Sequence, residues 1–212
     1  MIAIGYMKYN ALIPVKSLTT AKSRLASTFN QLQRERLVLD MLHHILCVLL
    51  DSGLFEKVSV VSSDEKVLKR AYVWGAQAVV EEYHDHNQAL HAAALKEIEK
   101  GATTLLTISA DLPLLTTHEI RHFFEQSLQH DVFLAPSRDG TGTNAIIVHP
   151  PLAVPYVFGP GSLQKFVQAA RQMRLSYAMY HSIGLALDID TIDDLHEAEI
   201  LESNRKESVY GC

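Results

Sequence analysis

What most constrains this chain is an alternation along its length. Short apolar runs take turns with longer segments whose apolar residues recur at threes and fours. Ala11 to Val15, Lys57 to Val61, Gln77 to Val80, Thr104 to Ser109, Val132 to Ala135, Ala145 to Val148 and Leu185 to Ile189 read as strands. The clearest helix carries Leu32, Val38, Met41, Leu42, Ile45, Leu46 and Leu49 on one face. Ser27 or Thr28 is its expected cap, and Gly53 its terminator. Further helices should start at Ser62-Ser63-Asp64, at Asn87, at Thr116 or Thr117, at Ser162 and at Thr191. Strands separated by helices of ten or more residues make a mostly parallel sheet covered on both faces. The expected fold is therefore α/β, in a single domain of residues 1–212 with a frayed tail after about Ser203.

In open sheets of this kind ligands bind beyond the carboxyl ends of the strands. Lys16 to Arg24, Ser62 to Asp64, Asp111 and Asp188 to Asp190 each follow a strand directly. They should gather on one rim.

Composition narrows the partners. A net charge of −5 argues against a general nucleic-acid binder, which shows a basic surplus. A local basic loop can still hold a small anion inside an acidic protein. Charges break the apolar runs well short of the roughly 20 residues that a membrane-spanning helix needs. Met1 to Lys8 lacks the basic start and long apolar core of a secretory signal. Cys47 and Cys212 suggest no disulfide framework, so the cytoplasm is the expected setting.

Three kinds of residue on the rim carry chemistry. Lys16, Lys22 and Arg24 lie within nine residues, just after the first strand. Lysine supplies a point charge and arginine a planar fork, the pair a polyphosphate calls for. Asp111 follows the central strand, and Asp188 and Asp190 stand two apart, where an extended chain turns both to one side. Hard cations such as Mg²⁺ prefer such carboxylates and keep waters and phosphates as further ligands. The pattern Asp-Thr-Ile-Asp also offers Asp190 a competing role as a helix cap. Gly140-Thr-Gly-Thr-Asn144 and Gly159-Pro-Gly-Ser162 let backbone approach an anion closely, although a hairpin turn and an ordinary cap account for them too. His84, His86 and His91 lack zinc-like spacing. Neither a Gly-x-x-x-x-Gly-Lys-Ser/Thr loop nor a Gly-x-Ser-x-Gly elbow is present.

Taken together, Pro14-Val-Lys-Ser-Leu-Thr-Thr-Ala-Lys-Ser-Arg-Leu25, Ala110-Asp-Leu-Pro-Leu114, Gly140-Thr-Gly-Thr-Asn144, Phe158-Gly-Pro-Gly-Ser162 and Asp188-Ile-Asp190 resemble the 2-phospho-L-lactate guanylyltransferase family. The family is related to the molybdenum-cofactor guanylyltransferases, whose Gly-Gly-x-Ser-x-Arg-type loop is absent here. The resemblance spans about residues 10 to 196. It implies a Rossmann-like three-layer sandwich of the nucleotide-diphospho-sugar transferase type, with a mostly parallel mixed sheet, in a homodimer. The implied reaction joins GTP to 2-phospho-L-lactate, giving lactyl-2-diphospho-5'-guanosine and pyrophosphate in deazaflavin coenzyme F(420) biosynthesis. Phosphoenolpyruvate or a phosphoglycerate is the alternative acceptor. By position, Asp111, Asp188 and Asp190 would hold Mg²⁺, and Thr143, Gly159 and Ser162 the acceptor. Lys16, Lys22 and Arg24 would be the catalytic cations on the triphosphate. Ser62, Ser63 and Asn87, with His86 beside them, would surround the nucleobase. Two other readings stay open: a metal-dependent nucleotide-sugar glycosyltransferase, and a nucleotide-binding regulator without activity.

Overall fold

The computed structural model describes residues 8–210, with only the backbone described for 205–210. Most of Met1 to Lys8, and Cys212, lie outside the described residues. Seven strands form one sheet: β1 (Tyr9–Pro14), β2 (Lys57–Ser62), β3 (Gln77–Val80), β4 (Thr104–Ile108), β5 (Val132–Pro136), β6 (Thr143–Val148) and β7 (Tyr177–Met179). Their spatial order is β3-β2-β1-β4-β6-β5-β7. Neighbours run parallel except at β6, which is antiparallel to both β4 and β5. The order reverses at β1, which pairs with β2 on one side and β4 on the other, and such a switch point opens a crevice at the carboxyl ends.

Alternate residues of each strand feed opposite faces. Ala11, Ile13, Leu106, Ile108, Phe133 and Ile147 pack under α1 (Gln31–Ser52), α2 (Glu65–Val73), α4 (Thr117–Ser127) and α7 (Ile192–Tyr210). Leu12, Val61 and Leu105 pack instead against Ala93 and Ala94 of α3 (His86–Glu99). Val132, Leu134, Ile146 and Val148 meet Phe166 and Ala170 of α5 (Ser162–Gln172). These are three layers, with the larger core on the α1 side.

Several boundaries differ from expectation, each for a local reason. Asn30 rather than Ser27 or Thr28 caps α1, because Asn30 and Gln33 form a reciprocal capping box. Leu32, in that first turn, is 75% exposed and outside the core. Asp85 caps α3 by accepting from Gln88 N at 2.9 Å, which puts Asn87 inside the helix. Leu185 to Ile189 is not a strand. Its front half belongs to a short helix, α6 (Ile183–Ala186), and the rest is irregular. The alternation there is real, since Leu185, Leu187 and Ile189 are buried, but β7 already occupies the free edge of β5. α7 continues to Tyr210, beyond the expected end near Ser203.

Candidate active site

The loop after β1 is tied down before it enters the crevice. Asp64 accepts from Leu18 N at 2.9 Å and Ser17 Oγ at 3.2 Å while capping α2 through Lys66 N at 3.0 Å. Partial burial works to raise this carboxyl, but the hydrogen bonds outweigh it and hold it below the ordinary carboxylate range. Further on, Lys22 adopts a left-handed backbone, φ 50° and ψ 42°, which costs a non-glycine residue about 1 kcal/mol or more. The turn carries its ammonium inward to the carboxylates of Asp111 and Asp190, with the Asp190 contact at 3.0 Å. Burial works against that charge, and the two aspartates more than offset it, so the Lys22 pKa is raised. Exposed Arg24 reaches the other oxygen of Asp190 at 3.2 Å. Lys16 is exposed at the cleft wall and, after burial, is the next cause holding His86 below its usual pKa.

Asp111, Asp188 and Asp190 converge from two segments, with one ligand atom from each lying within 4.8 Å of the others. Burial, then the charge of Asp111, pushes Asp188 upward. Asp111 Oδ1 is buried without a hydrogen-bond partner. Three converging carboxylates, one of them carrying an orphaned oxygen, fit a divalent cation whose remaining ligands come from water and phosphate. Lys22 supplies the compensating positive charge in this conformation. Thr191 and Asp194 form the box that starts α7: the Asp194 carboxylate accepts from Thr191 N at 2.7 Å, and the Asp194 backbone N–H donates to Thr191 Oγ1 at 3.3 Å. Asp190 is thereby left free of the capping role.

Asn144 does what its sequence position alone did not announce. Its Nδ2 lies 3.1 Å from Asp188 Oδ1, 3.1 Å from Leu185 O and 3.0 Å from Ala186 O. The side chain therefore fixes both the ligand and the backbone that carries it. In the sequence this asparagine closes the Gly140-Thr-Gly-Thr-Asn144 loop, one residue before the expected strand, whereas β6 already includes it.

Thr143, Gly159 and Ser162 line the same cleft as the acids. Thr143 Oγ1 is buried and unpartnered, and Ser162 is buried at the first turn of α5, where helix N–H groups are free. Gly159 has φ 120°, a conformation open to glycine and strained for other residues. Asp139 shapes the preceding hairpin by accepting from Ser137 Oγ at 2.7 Å and from Thr141 N at 2.9 Å and Oγ1 at 2.8 Å. Those bonds pull its pKa down to about 2. Arg138, not foreseen, also lines the cleft and pairs with Glu197.

The cleft encloses about 1080 Å³ and is lined by all nine residues expected for cations, metal and acceptor. The three expected at the nucleobase are not among its walls. Ser62 is buried and its Oγ accepts from Asp64 N at 3.1 Å, while Ser63 is exposed. Asn87 is committed elsewhere. Its amide clasps the backbone of Phe158, accepting at 2.8 Å and donating at 3.1 Å. It lines a separate groove of about 370 Å³ beside Tyr83, His91 and Leu95. Its neighbour His86, the first residue of α3, does line the cleft.

Comparison with known proteins follows the same outline. Residues 9–210 match the model of the family described as guanylyl transferase CofC like. The chain belongs to this family. A phosphoenolpyruvate guanylyltransferase of Sphaerobacter thermophilus is 38% identical over 187 residues, 88% of this chain and 90% of its own. A 2-phospho-L-lactate guanylyltransferase of Methanothermobacter thermautotrophicus is 35% identical over 192 residues, covering 90% and 84%. In fold, this CofC-like chain is similar to a putative nucleotide-diphospho-sugar transferase from Desulfovibrio desulfuricans G20. That match has a TM-score of 0.71 at 17% identity and covers 89% of this chain and 85% of the other. A Mycobacterium tuberculosis protein, Rv0371c, solved as a complex with manganese, matches at TM-score 0.56 and 16% identity over 91% and 98%. Being a guanylyl transferase of this family makes the chain a nucleotidyltransferase.

Proposed function

We propose that this protein transfers the guanylyl group of GTP to the phosphate of a three-carbon 2-phosphocarboxylic acid, either 2-phospho-L-lactate or phosphoenolpyruvate, and releases pyrophosphate. The observation that carries this is one cleft lined by three converging carboxylates, three cations, Thr143 with its unpartnered hydroxyl, and Ser162 at the first turn of α5. Relatives bearing both names span most of the chain, and both acceptors place a phosphate beside a carboxylate.

In this reading Thr143, Gly159 and Ser162 hold the acceptor. Its phosphate has a second pKa of about 6 and is a dianion near neutral pH, so no strong general base is needed. An acceptor phosphate oxygen attacks the α-phosphorus of GTP; the new P–O bond forms as the bond to the β-phosphate breaks. Repulsion between two anions is the main barrier. Lys16, Lys22 and Arg24 take up triphosphate charge, Lys22 exchanging its carboxylate contacts for phosphate oxygens. Mg²⁺ on Asp111, Asp188 and Asp190 would supply the rest of the neutralisation. Catalysis is then chiefly positioning and electrostatics. The homodimer, the cytoplasmic setting and the role in coenzyme F(420) biosynthesis belong to the same proposal. Among the described residues no helix is long and apolar enough to cross a membrane.

The test is an assay with GTP, Mg²⁺ and each acceptor in turn. Pyrophosphate formed only when an acceptor is present supports the reading, and the faster acceptor identifies the substrate. Release of GDP in place of pyrophosphate would mean cleavage at the γ-phosphate and contradict the reading, whereas a glycosyltransferase would turn over only when a nucleotide-sugar replaces GTP. ATP and CTP in parallel test the choice of base.

A further inference from the structure

The segment that carries Asp188 and Asp190 has no ladder to hold it. Residues 187–191 lie between α6 and α7 without regular structure, so individual bonds set their position. Asn144 anchors the segment from β6. A second anchor lies outside the cleft, on α4.

Glu119 closes the capping box of α4, with its Oε2 accepting from Thr116 N at 3.1 Å and Thr116 Oγ1 at 2.8 Å. A capping box needs no more than that. Here the second oxygen, Oε1, also accepts from Gly184 N at 3.1 Å. That N–H lies in the first turn of α6, where no intrahelical carbonyl is available to it. Thr116 follows Asp111 by five residues, and Gly184 precedes Asp188 by four. One carboxylate therefore ties the segment delivering Asp111 to the segment delivering Asp188 and Asp190. A backbone bond from Ile189 N to Asp111 O at 3.2 Å is the parallel link nearer the ligands.

Gly184 is shaped to this contact. A Cβ built there would lie 2.8 Å from Glu119 Cδ, closer than real Cβ atoms approach any heavy atom. Because Thr116 holds the other side of the carboxylate, a methyl group at position 184 would force it off the Gly184 N–H.

We propose that Glu119 is a positioning residue for the metal ligands, setting the distance between Asp111 and the Asp188–Asp190 pair. This rests on reading the three aspartates as a metal site. Glu119 is not among the residues lining the cleft, so its effect passes through the two segments it joins. Partners that orient metal ligands typically contribute about 10–100-fold to metal affinity.

The test measures Mn²⁺ affinity directly, by titration followed with electron paramagnetic resonance in the presence of a non-hydrolysable GTP analogue, alongside thermal melts. Glu119→Ala should weaken Mn²⁺ binding about tenfold. Glu119→Gln, whose single amide oxygen can accept from the Gly184 N–H or from the Thr116 N–H but not both, should recover only part of that loss. Gly184→Ala should weaken binding in the wild-type background and add nothing in the Glu119→Ala background, because the clash disappears with the carboxylate. Should Glu119→Ala fail to fold, the Gly184→Ala and Glu119→Gln variants carry the test. Lower melting temperatures with unchanged Mn²⁺ affinity would reduce Glu119 to an ordinary cap and overturn the proposal, as would additive effects in the double variant. If the wild type binds no Mn²⁺, or Asp111→Asn binds it equally well, the metal reading itself fails and this inference with it.

Discussion

In the parallel half of the sheet, β3-β2-β1-β4, strand ends deliver functional groups directly: Lys16 follows β1 by two residues and Asp111 follows β4 by three. In the other half, β6-β5-β7, delivery is indirect. Thr143 stands at the start of an antiparallel strand, Ser162 on a helix reached through a glycine loop, and Asp188 on an irregular segment. Side-chain clasps do there what the ladder does in the first half, with Asn144 on Asp188, Asn87 on Phe158 and Glu119 on Gly184. A parallel ladder fixes where a strand ends. A loop rim has to be fixed bond by bond. Asn144 belongs to both systems, because its backbone carbonyl accepts from Ser109 N at 2.8 Å while its amide holds the opposite arm.

The comparison can be broken most forcefully at the acids. Asp111→Asn, from the parallel half, and Asp188→Asn, from the clasped half, should each lower turnover by about 10³-fold with little change in melting temperature. A cost below about tenfold for Asp188→Asn, measured by pyrophosphate release, would mean that the clasped half supplies no ligand. Next come two substitutions that should separate the substrates. Lys22→Ala removes a charge-assisted contact and should raise KM for GTP about 10–100-fold, leaving the acceptor KM nearly unchanged. Thr143→Val should do the reverse, raising the acceptor KM about fivefold. Steady-state kinetics with each substrate varied would show whether the two sets of contacts are as separate as the proposed roles require.

Smaller effects sharpen the same contrast. Asn87→Ala releases the Phe158 backbone ahead of Gly159 and should raise the acceptor KM a few-fold, about 1 kcal/mol of lost hydrogen bonding. A rise in the GTP KM instead would return Asn87 to the nucleobase. Asp139 gives the smallest effect. Its folded pKa, about 2, lies below the ordinary carboxylate value, so its contribution is present above the unfolded pKa and is lost as pH falls through about 2. Because the group is exposed, Asp139→Asn should lower the melting temperature at about pH 6 by only about 2 °C or less, and the difference should vanish near pH 2.

The two halves also differ in how far the sequence reveals them. β1, β2 and β4 are apolar runs whose signal is their own burial, and Thr116 with Glu119 announces α4 as a capping box. The basic loop, the three acids and the glycine loops are all visible as residue types at strand ends. What stays hidden depends on partners distant in the chain. Asn144 meets Leu185 across 41 residues and Asn87 meets Phe158 across 71, so no local window contains either pair. β7 is three residues long at an edge, with none of them fully buried, and carries no apolar run to find. The alternation in Leu185 to Ile189 correctly marks one buried face and wrongly suggests a strand, because burial patterns do not say whether an edge is free to pair. That the residues expected at the nucleobase do not line the cleft has a related reason. Ser62 and Asn87 are polar residues near the rim, but their hydrogen bonds are already spent inside the fold.

The central claim is that an acceptor phosphate attacks the α-phosphorus of GTP over the three aspartates. Acceptor carrying ¹⁸O in its non-bridging phosphate oxygens, incubated with GTP and Mg²⁺ and read by ³¹P NMR and mass spectrometry, tests it most directly. All the label should stay in the guanylylated product, including the new bridging oxygen, and pyrophosphate should be released unlabelled. Label in the pyrophosphate, or GDP as the nucleotide product, would contradict the claim.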